Sequence, residues 1–538
     1  MKIGSANESP RRMIRGTLLT LTLLLGMLLG HFGWVSRAAQ LRTWLPSWPS
    51  GDLPIVAIDM PYEGYYQILL QRDEALETGV YIGQEEDFQT AEITLNDLRY
   101  PVHIRLQEGT TNQLGDNDKW NWEVRLRGEG ELLGMRRFEL LDPAENNWLS
   151  QYAFVKALEK AGVLTSSYQF VRLFVNGADV GIYAMQEDMT VSLPLRQQLP
   201  PGVIVEFDSR QLWQSVRYFE GDEAAALADP VTNLNATDLI YFQVDSFQIA
   251  AGASNSELND QAVEAIRLLH GLQTGEIPAS QVFDVEKYGR FLALSDLWGA
   301  IDGTSLVNLR YYFNPLTYRL EPIGYNGNPL VDNQRISLDS TYNSLPLQTA
   351  YVQAAAQLTD PNYLAELQTE LTAELAPLLA ALQEENPNLA LPWPALTQRQ
   401  AQMQRSLAPS QPIFAYVDAS NNASGGYMEV EVANVTSLAV EIIGFQINEN
   451  IVLPANREWL VNPRVELLVP QDEQLVLAPN DQSGGSFIRY VRFQIPLTAL
   501  QAADPTADFL TTPTVQVGSR LAGLTTAPQW TTAVPTIP

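Results

Sequence analysis

Residues 297–315 read LWGAIDGTSLVNLRYYFNP. The stretch opens as the end of an apolar helix expected over 284–301. It closes as the first strand of a short hairpin, Arg310–Phe313 and Arg319–Ile323, turning around Asn314-Pro315. Between helix and strand lie Asp302 and Asn308. A carboxylate and an amide at such a junction can orient a hydroxyl and hold a hard cation. They can equally cap the helix-to-strand turn, because Asp and Asn side chains bond nearby backbone N–H groups.

Upstream of this junction the period is two. VAIDM, GVYIG, AEITL and VHIRL between Ile55 and Leu106 have strand composition, with one helical stretch around Tyr65–Leu76. Trp120–Leu126 alternates, and Gly128, Gly130 and Gly134 separate it from a second strand at Met135–Leu141. An amphipathic helix follows over 146–161, stopped by Gly162. Phe170–Val175 and Val180–Met185 flank Asn176-Gly177, a strong hairpin signal. Helices are expected over 260–272, 361–384 and 394–407. Beyond Pro412 the pattern reverts to short strands: Phe414–Val417, Tyr427–Val432, Val440–Ile447, Val465–Val469 and Tyr490–Ile495, at sandwich-like spacing. The fold class is therefore α+β, with a β-rich lobe over 53–210, a helical lobe over 211–411, a β-sandwich over 412–500 and a Thr/Pro-rich tail over 501–538.

The first residues set the location. Lys2, Arg11, Arg12 and Arg15 in the basic segment 1–16 precede an uncharged run from Thr17 to Val35. Nineteen helical residues span about 28 Å, close to the hydrocarbon thickness. The run is expected to be a transmembrane anchor, or a signal peptide cut near Ser36-Arg37-Ala38. Either way, the basic flank stays in the cytoplasm and the body of the chain is extracytoplasmic, beyond a Pro/Trp-rich spacer over 36–52.

Composition excludes several chemistries. With 33 basic and 62 acidic residues among 538, the net charge is −29, which repels a phosphate backbone and argues against nucleic acid as main partner. The absence of cysteine removes disulfides, thiolate nucleophiles, iron–sulfur clusters and cysteine zinc sites. His31, His103 and His270 are the only histidines and form no HExxH pair. His103 reads as a structural strand residue and His270 as a partner of a helix dipole. The sequons at Asn235, Asn422 and Asn434 carry no more weight than chance. No GxxxxGK[ST] loop or GxSxG elbow is present.

What remains is the glycine set. Gly128-Glu-Gly130-Glu-Leu-Leu-Gly134 lies between two strands, where backbone N–H groups can approach phosphate oxygens. A plain hairpin needing positive φ explains the same spacing. In kinase chemistry a catalytic-loop aspartate and a downstream asparagine have the roles open to Asp302 and Asn308, here one residue further apart than in HRDxxxxN. Together with RLQEGTTNQ (105–113), DKW (118–120), RLR (125–127), LGMRRF (133–138), FVNG with GIY (174–183) and LEPIGY (320–325), the order resembles the spore coat kinase CotH family over roughly residues 53–410.

The resemblance implies an atypical two-lobed protein-kinase-like fold and, in active members, transfer of phosphate from Mg-ATP to serine or threonine of surface or envelope proteins. It places Gly128, Gly130 and Gly134 at the phosphates and Arg136 or Arg137 as a phosphate contact. Glu187 falls at the interlobe hinge, Asp302 is the catalytic-loop acid, and Asn308 is a metal or phosphate ligand. Asn326 stands where the family has its metal-binding aspartate, with Asn328 two residues on, and Gln107-Glu108 stand where a lysine is expected. A neutral amide gives Mg²⁺ a weaker ligand without charge neutralisation. Asp332 is a nearby carboxylate that could substitute. The expected function is a membrane-anchored extracytoplasmic kinase; the alternative is a pseudokinase serving as a surface scaffold or binding module.

Overall fold

The computed structural model describes residues 53–536, apart from 112–113, 115–118, 129, 191, 208–209, 223–224, 227–243, 247–255, 306–307, 331–334, 337–343, 419–425, 450, 462–474, 481–487 and 506–512. Its architecture is mixed α+β. Seven strands close a barrel: β1 (Ile55–Asp59), β2 (Gln89–Leu95), β3 (Leu98–Leu106), β4 (Trp122–Leu126), β5 (Arg137–Leu141), β6 (Tyr168–Val175) and β7 (Ala178–Glu187). The spatial order is β1-β2-β3-β4-β5-β7-β6, and β1 shuts the ring by pairing in parallel with β6, Ile55 opposite Arg172. Alternation decides the faces. Val102, Ile104, Leu106, Trp122, Val124, Phe138, Leu140, Tyr183 and Met185 fill the interior, and the Tyr62–Thr78 helix adds Ile68 and Ala75 to that core.

The second lobe is a five-stranded sheet in the order Val244–Ser246, Ile204–Phe207, Arg310–Asn314, Arg319–Gly324, Leu164–Thr165. The helices Leu149–Lys160, Val285–Trp298, Leu345–Leu358, Tyr363–Leu382 and Trp393–Leu407 share its core. Helix 285–298 ends three residues earlier than its pattern suggests, because Gly299 takes a left-handed cap at φ 60°. Helix 345–358 had no sequence signal. It is buried at Leu347, Tyr351, Val352, Ala355 and Leu358, and its more exposed strip at Thr349, Gln353 and Gln357 is set off only weakly from a run rich in alanine.

Helices 285–298 and 345–358 cross at Gly289. A Cβ there would lie 2.5 Å from the carbonyl carbon of Ala350. Alanine is the better helix former by about 1 kcal/mol, but overpacking costs roughly 1–3 kcal/mol. The clash wins: Gly289→Ala lowers the thermal midpoint followed by circular dichroism. An unchanged or raised midpoint would show that the crossing can open at no cost.

Residues from Ile413 onward form two facing sheets on the same hydrophobic core, with Phe445 and Phe493 meeting at 5.1 Å between them. The expected tail is corrected here. Leu497–Ala503 is helical, and Val515–Leu521, Gln529–Thr532 and Val534–Pro535 are strands of these sheets. The alternating VQVGSRL hides within a Thr/Pro-rich composition that by itself suggests an extended chain. The strand expected at 465–469 and the 17–35 run expected as an anchor both lie outside the described residues. Among the described residues no helix is long and apolar enough to cross a membrane.

Candidate functional site

The barrel's outer face is polar where it meets the second lobe. Register places Arg105, Glu123 and Glu139 side by side across β3, β4 and β5, with Arg125 and Arg137 paired in the next row. Arg105 Nε donates to Glu123 Oε2 at 2.7 Å, and Arg125 Nη2 donates to Glu123 Oε1 at 2.8 Å. Arg137 lies 3.3 Å from Asp188 Oδ2 and 3.9 Å from Glu123 Oε1. Gln107, just past β3, donates its amide to Glu139 Oε1 at 2.8 Å and accepts from Asn121 Nδ2 at 3.0 Å. The other Glu139 oxygen accepts from the Tyr325 hydroxyl at 3.0 Å, across 186 positions of sequence. This bond joins the barrel to the end of the Arg319–Gly324 strand.

Tyr325 leads into the second cluster. Asn326 Nδ2 lies 3.5 Å from Asn308 Oδ1, Asn308 Nδ2 donates to the Asp302 carbonyl at 3.1 Å, and Asn328 Nδ2 donates to Asp302 Oδ2 at 3.0 Å. The two loops are pressed together: a Cβ on Gly303 would sit 3.1 Å from Gly327 Cα, and one on Gly327 2.6 Å from the Phe154 ring. Asn326 and Asn328 both have φ 46°, a left-handed conformation that Asn and Asp tolerate best after Gly. Asn147 Nδ2 holds the Pro329 carbonyl at 3.0 Å from the barrel side. Asp302, Asn308 and Asn326 are thus brought together, as their order suggested. Asp332 lies outside the described residues.

The glycine hairpin forms a separate group. Gly128 (φ 85°) and Gly134 (φ 83°) are left-handed, Leu132 pairs with Met135 across the tip, and Gly130 faces the Tyr100 ring. Arg136 donates to the Gly128 carbonyl. Arg196 donates to the Gly134 carbonyl at 2.8 Å and also pairs with Glu187. Burial pushes the Arg196 guanidinium down to about 10. Glu187 ends β7, is fully buried, and receives the Ser167 N–H at 3.4 Å.

The family model for CotH kinase protein matches residues 112–383, half of the chain, from ahead of the glycine hairpin to the end of helix 363–382. The chain belongs to the CotH family. No curated protein matches it. The CotH segment contains every residue given a role by the resemblance except Gln107 and Glu108, which lie with the rest of 105–111 just ahead of it.

Within this CotH domain the described donors stand at the low end of what Mg²⁺ takes alongside a triphosphate. Mg²⁺ takes one or two carboxylates plus phosphates, and a triphosphate brings about four negative charges of its own. The cluster supplies one carboxylate, Asp302, and three amides that bond to one another, to Asp302, or to its carbonyl. Among the described residues no three His, Asp or Glu side chains converge in a metal-binding arrangement. The three arginines nearest on the barrel face are engaged by Glu123, Glu108, Glu85 and Asp188.

Glu139, Tyr325 and Arg196 had no role in the sequence reading. The signal for Glu139 was available: it stands two residues after Arg137 on an alternating strand, hence on the same outward face. With an amide at 107 and no cation on it, burial, reinforced by the Asp188 charge, pushes the Glu139 carboxyl up to about 7. Glu145, which accepts from Asn121 at 2.7 Å, is also pushed up to about 7, chiefly by burial. A raised carboxyl pKa means the native state keeps a proton the unfolded chain has released. Stability is therefore full below the ordinary value near 4.5, falls as pH rises toward about 7, and is flat above. Partial exposure of Glu139 discounts its share to about 2 kcal/mol. The thermal midpoint is expected to fall between pH 5 and pH 7.5, and Glu139→Gln should remove about half of that slope. A midpoint that rises over this window would mean Glu139 is ionised in the fold.

Proposed function

We propose that this protein is a pseudokinase of the CotH family, whose kinase-like two-lobed body and C-terminal β-sandwich bind a surface or envelope protein without phosphorylating it. The 17–35 segment would hold it at the extracytoplasmic face of a membrane. One observation carries the reading: where phosphotransfer needs anionic oxygen for a metal, Asn326 and Asn328 turn their amides toward Asn308 and Asp302. The Gln107–Glu139 pair supports it, because an amide on a carboxyl that titrates near 7 offers no fixed positive charge for a phosphate. The packed Gly303–Gly327 contact and the Asn147 bond to Pro329 support it as well, because the chain's own atoms hold these turns against each other.

The test is calorimetry and thermal melting of the whole chain with millimolar Mg-ATP or Mn-ATP. No heat and no shift of the midpoint are expected. A metal-dependent shift lost in Asp302→Ala would instead overturn this reading's empty nucleotide site, and phosphate carried from Mg-ATP to serine or threonine of a protein would establish the kinase reading.

A further inference from the structure

We infer that residues 42–48 of this chain, outside the described part, dock along the exposed face of the Tyr62–Thr78 helix. This face carries Tyr62, Tyr66 and Leu70 at four-residue spacing, 80%, 47% and 44% exposed. Residues at that spacing lie one above another. The Tyr62 and Tyr66 rings are already stacked, 6.2 Å apart and 15° from parallel. The opposite face, through Ile68 and Ala75, is committed to the barrel core, so the stripe is free only for something outside it. A continuous aromatic and aliphatic strip left in water is unfavourable, and such strips mark contact sites.

The preceding chain has the matching chemistry. It enters the fold at Leu53 from RTWLPSWPSGD, residues 42–52, which offers Trp44, Leu45 and Trp48 to the stripe. Pro46 and Pro49 favour an extended backbone that can lie flat on a helix. Reach is sufficient: nine residues back from Leu53 span up to about 30 Å, and a helix of this length measures about 25 Å. Charge agrees too. The helix face is acidic around the stripe, with Glu63, Glu77 and Asp73, the last also 3.5 Å from Arg72, while the segment itself brings Arg42, and Arg37 stands just upstream. The same acidity disfavours an anionic bilayer as the occupant. Docking would hold the barrel close to the point where the chain leaves the membrane, and it does not depend on the pseudokinase reading.

The chain has no cysteine, so engineered thiol pairs report proximity without background. In the full chain, in detergent micelles and in neutral-lipid vesicles, Trp48→Cys with Tyr66→Cys and Trp44→Cys with Leu70→Cys are oxidised under mild conditions. Trp48→Cys with Val263→Cys, on the exposed side of helix Ser256–Gln273, is the control. At least one stripe pair should close tenfold or more faster than the control in both environments. The single variant Tyr66→Cys should react slowly with a water-soluble maleimide, and adding Trp44→Ser and Trp48→Ser should restore fast labelling. Both stripe pairs closing no faster than the control, with rapid labelling at position 66, would overturn the inference. Protection at 66 found only in vesicles would also overturn it, and would assign the stripe to the lipid surface.

Discussion

Replacing Asp296 with alanine is expected to destabilise the protein by about 3 kcal/mol, because it strands a buried cation. Asp296 lies on helix 285–298 with its carboxylate fully enclosed. Oδ1 accepts from Arg335 Nε at 2.6 Å and from the Ile336 N–H at 3.2 Å, and Oδ2 accepts from the Tyr351 hydroxyl at 2.6 Å. Burial works against the Arg335 charge, but the hydrogen bonds and charge of Asp296 outweigh it and raise that guanidinium above its ordinary value. Arg335 also reaches Ser406 on helix 393–407 at 2.9 Å. The pair therefore ties together three helices that pack beneath the Asp302 loop. The lower end of the usual range applies because the Arg335 side chain keeps 29% of its exposure and can turn part of its charge to solvent. Asp296→Asn, which keeps the shape, should lose less, and Arg335→Met added to Asp296→Ala should recover part of the loss by removing the stranded charge. Denaturant unfolding of the helical lobe, followed by hydrogen exchange in residues 345–358, measures all three. A loss under about 1 kcal/mol in Asp296→Ala would mean the network is replaceable by water.

The second large effect is a gain. Asn326→Asp combined with Asn328→Asp should give divalent-cation binding much stronger than that of the natural chain. Both positions are left-handed at φ 46°, which aspartate accepts, so the backbone has no reason to move. Two new carboxylates beside Asp302 repel one another without metal, and the thermal midpoint should drop by a few degrees. Millimolar Mg²⁺ or Mn²⁺ should more than restore it, since a ligand at about a hundred times its Kd stabilises by about 2.7 kcal/mol. Nucleotide binding, if it appears, should then depend on that metal. A variant that folds yet responds to neither cation would show that the amides at 326 and 328 do not limit metal binding, and Gln107→Lys opposite Glu139 is the next substitution to combine.

Much of this site was legible in the sequence because it is local. The interval from Asp302 to Asn308 and the PIGYNGN segment are short, and Gly303 and Gly327 let the two approach closely. The glycine hairpin was legible in the same way, and its left-handed Gly128 and Gly134 match the plain hairpin requirement. Arg137 was named from the same stretch, but its partners Asp188 and Glu123 come from other strands and could not be read there. The helix at 345–358 escaped because Ala350, Ala354, Ala355 and Ala356 give little hydrophobic contrast between its buried side and the strip of Thr349, Gln353 and Gln357.

From sequence alone come the α+β class, the hairpin at Asn176-Gly177, the absence of thiol chemistry, and an amide at 326 where the family resemblance implies a metal-binding aspartate. These follow from residue type and near-neighbour spacing, which fix turns, periods and donor charge. Only the tertiary structure decided that β1 closes the barrel against β6, and that Tyr325 and Gln107 both hold Glu139. The protonation of that carboxyl depends on burial and on charges brought close from distant strands. Neither is a property of the residue or its interval along the chain, so no reading of spacing could have supplied it.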